Sequence, residues 1–240
     1  VDRWDLAERY AKEALEGSEA LLDTRRLDED PYLPTALGAA IEVLGKYYAQ
    51  TDLRHAISFF EQQRERYLGT SIEGRIQKNY LLLSFKDKPF PGLHVTKSLI
   101  GRTLDPVALE GKVVLYYFWA HWCSDCRRQK PILERLHAEY TGRGLAIVGP
   151  TRLYGYVAGG RTATPHEELR YLESSYSQRN QIAKWMAVPV STENFLNFGI
   201  SSTPTLVLVD RDKKVQLYHP GGMSYADLSS AIVPLLDAGL

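Results

Sequence analysis

The chain has 240 residues, of which 44% are hydrophobic, so it can build the core of one large domain or two modest ones. Basic and acidic residues number 29 each, which leaves no basic excess to attract nucleic acid or an anionic membrane surface. No apolar run approaches the roughly 18 residues of a membrane span. Because the sequence begins at Val1 without a signal-like segment, we expect a mature chain, associated with a membrane only through a segment absent from it.

The first 84 residues carry apolar side chains at the three- and four-residue steps typical of helices. We predict an all-α N-terminal domain over residues 1–84, with Asp52 as the N-cap of a third helix and a fourth helix after Ser71. Tyr47, Ala56 and Phe60 are spaced as in a tetratricopeptide helix pair. No second copy of that pattern follows, so we favour a plain helical bundle.

Periodicity changes after this region. Residues 85–92 contain the charges, prolines and glycine typical of a linker. From 93 to 240, predicted strands alternate with predicted helices, and the last two strands form a hairpin, so we predict an α/β domain with a mixed sheet. The predicted strands are 93–96 and 102–104 as a small hairpin, 113–119, 145–148, 185–190, 205–209 and 214–218. The predicted helices are 124–140, 165–179 and 224–236.

The only two cysteines, Cys123 and Cys126, lie at the junction of a predicted strand and helix. Within the chain they can bridge only each other, so they cannot join distant segments. We therefore expect the pair to take part in a reaction and not to stabilise the fold. The positive end of the helix favours a thiolate at Cys123. Cys126, one turn later, is close enough to resolve a mixed disulfide from within. This spacing predicts a two-electron exchange that needs no cofactor.

A zinc site is disfavoured, because the six histidines are scattered and none belongs to a second paired motif. We therefore predict no metal. His121 places an imidazole near Cys123, where it is a candidate proton relay. We favour the simpler interpretation of His121 as a partly exposed loop residue.

Two distant motifs together resemble the TlpA-like thiol–disulfide oxidoreductases of bacterial envelopes, a branch of the thioredoxin superfamily. The first is Phe-Trp-Ala-His-Trp-Cys-Ser-Asp-Cys at 118–126, followed by Pro131, and the second is Phe-Gly-Ile-Ser-Ser-Thr-Pro-Thr at 198–205. The resemblance covers about residues 86–240. It implies a thioredoxin-like fold with a helix–strand insertion and a cis peptide bond before Pro204. It also implies catalytic roles for Cys123, Cys126 and Pro204, and substrate contacts by Trp122, Thr203, Ser124 and Asp125.

The sequence departs from this family at two positions. Tyr117 stands where thioredoxins carry a buried acid, and Gln129 stands where some envelope reductases carry a glutamate. Neither a phenol nor an amide readily accepts a proton near neutral pH, so the relay is water, His121 or Asp125. The charge of Asp125 next to Cys123 disfavours the thiolate, from which we expect a reducing enzyme.

We therefore predict a periplasmic or cell-envelope enzyme that exchanges disulfides with protein substrates and an upstream redox partner. The alternative is a redox-sensitive scaffold whose helical domain binds partners. Copper handling is disfavoured, since such relatives usually combine a wider cysteine spacing with a distal histidine. The tyrosine- and glycine-rich loop 151–164 is either a partner-binding lid or a solvated connection.

Overall fold

The computed structural model describes residues 3–99, 103–176 and 182–238. The chain forms two compact units, residues 1–85 with 196–201 and residues 86–195 with 202–240. The expected fold class is confirmed: an all-helical N-terminal region precedes an α/β unit with a mixed sheet. Unlike the predicted domain 1–84, the helical unit includes a short segment from much later in the chain.

Four helices build the first unit, and each packs against the helix that follows it along the chain. The carboxylate of Asp52 accepts the backbone N–H groups of Arg54 at 2.9 Å and His55 at 3.1 Å, which confirms it as an N-cap. Within the described residues, no helix is both long and apolar enough to cross a membrane. The helices are α1 (Trp4–Leu21), α2 (Leu33–Ala49), α3 (Leu53–Arg66) and α4 (Glu73–Ser84).

Residues 196–201 pack against α4 and complete this unit. The side-chain amide of Gln77 donates to the carbonyl of Asn197 at 2.9 Å. Gly199 has φ +57°, and a Cβ at this position would lie 2.4 Å from the backbone nitrogen of Lys78. Glycine is therefore required at position 199 for both its conformation and the close approach of two backbones.

The elements that follow the first four helices are β1 (Lys97–Leu99), β2 (Val113–Phe118), α5 (Ser124–Tyr140), β3 (Leu145–Val148), α6 (Pro165–Tyr171), β4 (Val188–Val190), α7 (Thr192–Asn197), β5 (Thr205–Val209), β6 (Val215–Pro220) and α8 (Tyr225–Asp237). A four-stranded sheet in the order β3-β2-β5-β6 organises the second unit. Strands β2 and β3 are parallel, whereas the β2–β5 and β5–β6 pairs are antiparallel. All six residues of β2 are buried, as in a central strand covered on both faces.

The predicted hairpin of 93–96 with 102–104 is wrong over its described part. Strand β1 begins at Lys97 and pairs antiparallel with β4, about ninety residues later. Backbone hydrogen bonds then continue from β4 to the chain after β3, including Thr151 N–H to Pro189 O at 3.0 Å. A long-range pairing of short strands has no local turn signal, which is why it was not read from the sequence.

Two other predicted segments differ from their expected form. The predicted linker 85–92 lies against the start of β6, where the N–H of Asp87 donates to Val215 O at 2.8 Å. The predicted helix 165–179 is α-helical over Pro165–Tyr171 and continues as a π-helical turn over Leu172–Tyr176. Residues 177–179 lie outside the described part of the chain.

Gly45 allows α2 and α3 to approach closely. A Cβ at this position would lie 2.0 Å from the ring of Phe60, which is 1% exposed. We expect Gly45→Ala to lower the free energy of unfolding by about 1–3 kcal/mol, because the buried ring has no room to move aside. Urea unfolding followed by circular dichroism measures the change.

Gly17 in α1 is the matched control, since a Cβ there meets nothing within 4 Å. Gly17→Ala should raise the free energy of unfolding by about 0.5–1 kcal/mol through helix propensity alone. Equal shifts of the same sign in the two variants would contradict the close approach at Gly45.

Candidate active site

Cys123 and Cys126 are joined by a disulfide at the start of α5, directly after the turn that follows β2. Cys123 is the N-cap residue, and its sulfur accepts the backbone N–H of Cys126 at 3.1 Å. The cysteines are 4% and 2% exposed, respectively. The sulfur of Cys123 therefore occupies the place where a helix N-terminus stabilises negative charge.

Thr203 and Pro204 lie beside this pair although they are about eighty residues away in sequence. The Thr203–Pro204 peptide bond is cis. The carbonyl oxygen of Thr203 lies 3.3 Å from the sulfur of Cys123. Pro204 is buried and Thr203 is half-buried, so the backbone at these two residues borders the sulfur of Cys123.

His121 is buried, contrary to our expectation of a partly exposed loop residue. Its Nε2 lies 3.2 Å from a carboxylate oxygen of Glu168. Burial lowers the pKa of His121, although the charge and hydrogen bond of Glu168 oppose that shift. The partner is forty-seven residues away in sequence, so no local pattern could have revealed the burial.

Glu168 is the site residue that sequence reasoning missed. It is 0% exposed, and its two oxygens accept the N–H of Tyr154 at 2.9 and 3.0 Å and the N–H of Gly155 at 2.8 Å. An acidic residue in the first turn of a helix, such as Glu168 beside the capping residue Glu167, is already explained by the helix dipole. The local sequence therefore gives no sign that Glu168 is buried or that donors from distant segments converge on it.

Trp122 is 48% exposed and stands next to Cys123. The ring of Tyr154 meets it edge to face, with centroids 5.5 Å apart and an interplanar angle of 86°. Tyr154 belongs to the loop 151–164, whose role as lid or connection the sequence left open. The backbone of this loop is fixed to Glu168, and its start is fixed by Thr151, whose hydroxyl donates to Trp119 O at 2.8 Å.

Tyr117 and Gln129, where the family resemblance led us to expect acids, both make neutral hydrogen bonds. The hydroxyl of Tyr117 donates to the carbonyl of Cys126 at 2.8 Å. The side-chain oxygen of Gln129 accepts the N–H of Met223 at 2.8 Å. A cavity of about 20 Å³, lined by Tyr117 and Lys130, borders Cys126 and has room for one water molecule.

Ser124 and Asp125 are exposed on the first turn of α5. The carboxylate of Asp125 forms an ion pair with Arg128 and accepts the hydroxyl of Ser124 at 3.2 Å. The negative charge of Asp125 disfavours a thiolate at Cys123, and the positive charge of Arg128 opposes that effect. The described residues contain no group of three or more histidine, cysteine, aspartate or glutamate side chains that could hold a metal ion.

The sequence model of the thioredoxin-like domain family matches residues 101–233, more than half of the chain. The chain belongs to this family. The resemblance drawn from the two motifs is therefore confirmed at the level of the thioredoxin-like domain. The match lies within the predicted thioredoxin-like domain 93–240.

Two named proteins are similar in sequence to part of this chain. Thiol-disulfide oxidoreductase ResA of Halalkalibacterium halodurans is 25% identical over 134 residues, which cover 54% of this chain and 66% of that protein. Nucleoredoxin of Danio rerio is 34% identical over 118 residues, which cover 46% of this chain and 24% of that protein. The chain thus spans less than two thirds of either relative.

Among solved structures, a thiol:disulfide interchange protein of Chlorobium tepidum is similar at a TM-score of 0.48 and 21% identity. The similarity covers 62% of this chain and 97% of that one.

The N-cap position of Cys123 predicts unequal reactivity in the reduced protein. Cys123 should be alkylated at least about ten times faster than Cys126, because the N–H of Cys126 favours the thiolate at Cys123, and the thiolate is the reactive form. Substoichiometric iodoacetamide followed by peptide mass spectrometry measures the ratio. The oxidised protein serves as the unreactive control, and equal labelling of the two cysteines would contradict the assignment.

Proposed function

We propose that this protein is a protein thiol–disulfide oxidoreductase with Cys123 as nucleophile and Cys126 as resolving thiol. The single observation that carries the proposal is the Cys123–Cys126 disulfide at a helix N-terminus, with the Thr203 carbonyl 3.3 Å from the Cys123 sulfur. Membership of the thioredoxin-like family and the named ResA and nucleoredoxin relatives support the same activity.

In the reducing direction, the Cys123 thiolate attacks one sulfur of a substrate disulfide and forms a mixed disulfide. The other substrate sulfur leaves as a thiolate and takes up a proton. Cys126 then loses its proton and attacks Cys123, so the second substrate thiol leaves and the Cys123–Cys126 disulfide closes. The substrate gains two electrons, and an upstream dithiol partner must return two electrons to the protein.

The residues around the pair divide the remaining tasks. The backbone at Thr203, next to the cis Pro204, borders Cys123 and is suited to pair with an extended substrate segment. Trp122 offers an exposed aromatic surface beside the nucleophile. A water molecule in the cavity next to Cys126 is the proton acceptor most compatible with the bonded states of Tyr117 and His121.

We place this activity in the bacterial envelope, on the resemblance to TlpA-like proteins, and we assign the helical unit to the positioning of partners. A redox-sensitive scaffold without turnover is the competing function. Covalent trapping of substrates distinguishes the two.

We expect Cys126→Ala to accumulate mixed disulfides with client proteins, because the resolving thiol is absent and the intermediate cannot close. Non-reducing gels and mass spectrometry of the captured adducts provide the measurement. The matched control is the double variant Cys123→Ser with Cys126→Ala, which should capture none. Cys123→Ser alone should abolish insulin reduction. Stable noncovalent partners without trapped clients would favour the scaffold.

The reducing direction is a separate proposal. We expect the reduction potential of the Cys123–Cys126 couple to lie well below the value of about −120 mV typical of strong oxidants. Asp125→Asn should raise the potential by on the order of 10 mV, because it removes a negative charge that disfavours the thiolate. Arg128→Gln should lower it, since it leaves Asp125 uncompensated.

Equilibration with glutathione or dithiothreitol buffers measures all three potentials. A wild-type value near −120 mV would overturn the reductase assignment and leave the exchange reaction itself intact.

A further inference from the structure

Among the described residues, Glu168 carries the most completely buried carboxylate, and the proposed redox chemistry does not use it. One of its oxygens lies 3.2 Å from His121 Nε2 and accepts Tyr154 N–H at 2.9 Å, while the other accepts Tyr154 N–H and Gly155 N–H at 3.0 and 2.8 Å. Burying a carboxylate is unfavourable unless it is hydrogen-bonded in this way. An apolar side chain at position 168 could not accept these hydrogen bonds, so the carboxylate itself is needed to hold its partners in place.

The hydrogen-bond donors to Glu168 come from two separate segments of the chain. His121 lies in the turn that ends at Cys123, and Tyr154 and Gly155 lie in the loop 151–164. The carboxylate thus ties the loop to the turn that carries the nucleophile. Tyr154 and Gly155 lie outside regular secondary structure, so Glu168 accepts backbone N–H groups that a helix or sheet would otherwise pair.

The aromatic rings around these bonds fix the orientation of Tyr154. Its ring contacts Trp122 at 5.5 Å, His121 at 5.9 Å and Phe195 at 6.3 Å between centroids, each nearly perpendicular. The guanidinium of Arg152 lies over the ring of Tyr154 at 5.0 Å from the centroid. Tyr154 is thereby held against Trp122, whose remaining surface is open beside Cys123.

We propose that Glu168 is a positioning residue that holds Tyr154 against Trp122, and that the resulting aromatic wall selects disulfides flanked by an apolar or aromatic side chain. The proposal rests on the proposed oxidoreductase function. A wall of two aromatic rings beside the reacting sulfur gains from burying an apolar neighbour of the substrate cysteine and gains little from glycine.

The test compares two synthetic peptides, each closed by one disulfide, that differ only in phenylalanine or glycine next to the first cysteine. Initial rates are measured with dithiothreitol as the electron donor, after subtraction of the uncatalysed rate. We expect the wild-type protein to prefer the phenylalanine peptide about tenfold in kcat/KM, with the difference in KM. Glu168→Ala should reduce this preference to less than twofold.

Glu173→Gln is the matched control, because it removes a carboxylate from the exposed surface of the same segment, and it should keep the tenfold preference. Glu168→Gln retains one accepting oxygen and should keep part of the preference for the phenylalanine peptide. If Glu168→Ala does not yield folded protein, Tyr154→Leu decides instead. It removes the aromatic ring, leaves the backbone N–H of residue 154 available to Glu168, and should also reduce the preference to less than twofold.

A folded Glu168→Ala or Tyr154→Leu protein that keeps the full preference overturns the proposal. A wild-type protein that reduces both peptides equally overturns the selectivity alone and leaves the oxidoreductase function standing. A wild-type protein that reduces neither peptide overturns both.

Discussion

The antiparallel pairing of β2 with β5 is the constraint on which the candidate site depends. Phe118 at the end of β2 is opposite Thr205 at the start of β5. Because antiparallel partners bring the end of one strand to the start of the other, the turn that carries Cys123 and the Thr203–Pro204 bond emerge at the same edge of the sheet. A shift of one residue in this register would reverse the faces of β5 and separate the Thr203 carbonyl from the Cys123 sulfur.

Strong local patterns made part of this arrangement predictable. The sequence predicted α5 and β3 with the bounds that the structure has, because one is a long amphipathic helix and the other a short apolar run ending at glycine. It also predicted that the cysteines lie at a strand–helix junction. The sequence did not predict three contacts between distant segments: the β1–β4 pairing, the packing of 196–201 on α4, and the His121–Glu168 pair. Each joins residues that periodicity cannot relate.

The bonding of Tyr117 and Gln129 bears on how the reaction handles protons. Both side chains are engaged with main-chain groups, Tyr117 with Cys126 O and Gln129 with Met223 N–H. They therefore maintain the shape around the second cysteine without supplying a base. His121 is committed to Glu168, and Asp125 is paired with Arg128 at the surface. For the proposed reaction, we therefore infer that the proton reaches solvent through water in the small cavity beside Cys126.

The loop 151–164 combines the features of both roles that the sequence left open. Its ends are fixed by Thr151 and by the capping box of Thr164, and Glu168 fixes the backbone at Tyr154 and Gly155, so the loop is anchored and does not have the few contacts of a freely opening lid. At the same time, the ring of Tyr154 lies at the edge of Trp122, next to Cys123 in sequence. If this surface binds substrate as we propose, an anchored loop holds that ring in one orientation beforehand, so little ordering is required on binding. The buried carboxylate of Glu168 connects the loop 151–164 with the turn that precedes Cys123, through Tyr154, Gly155 and His121.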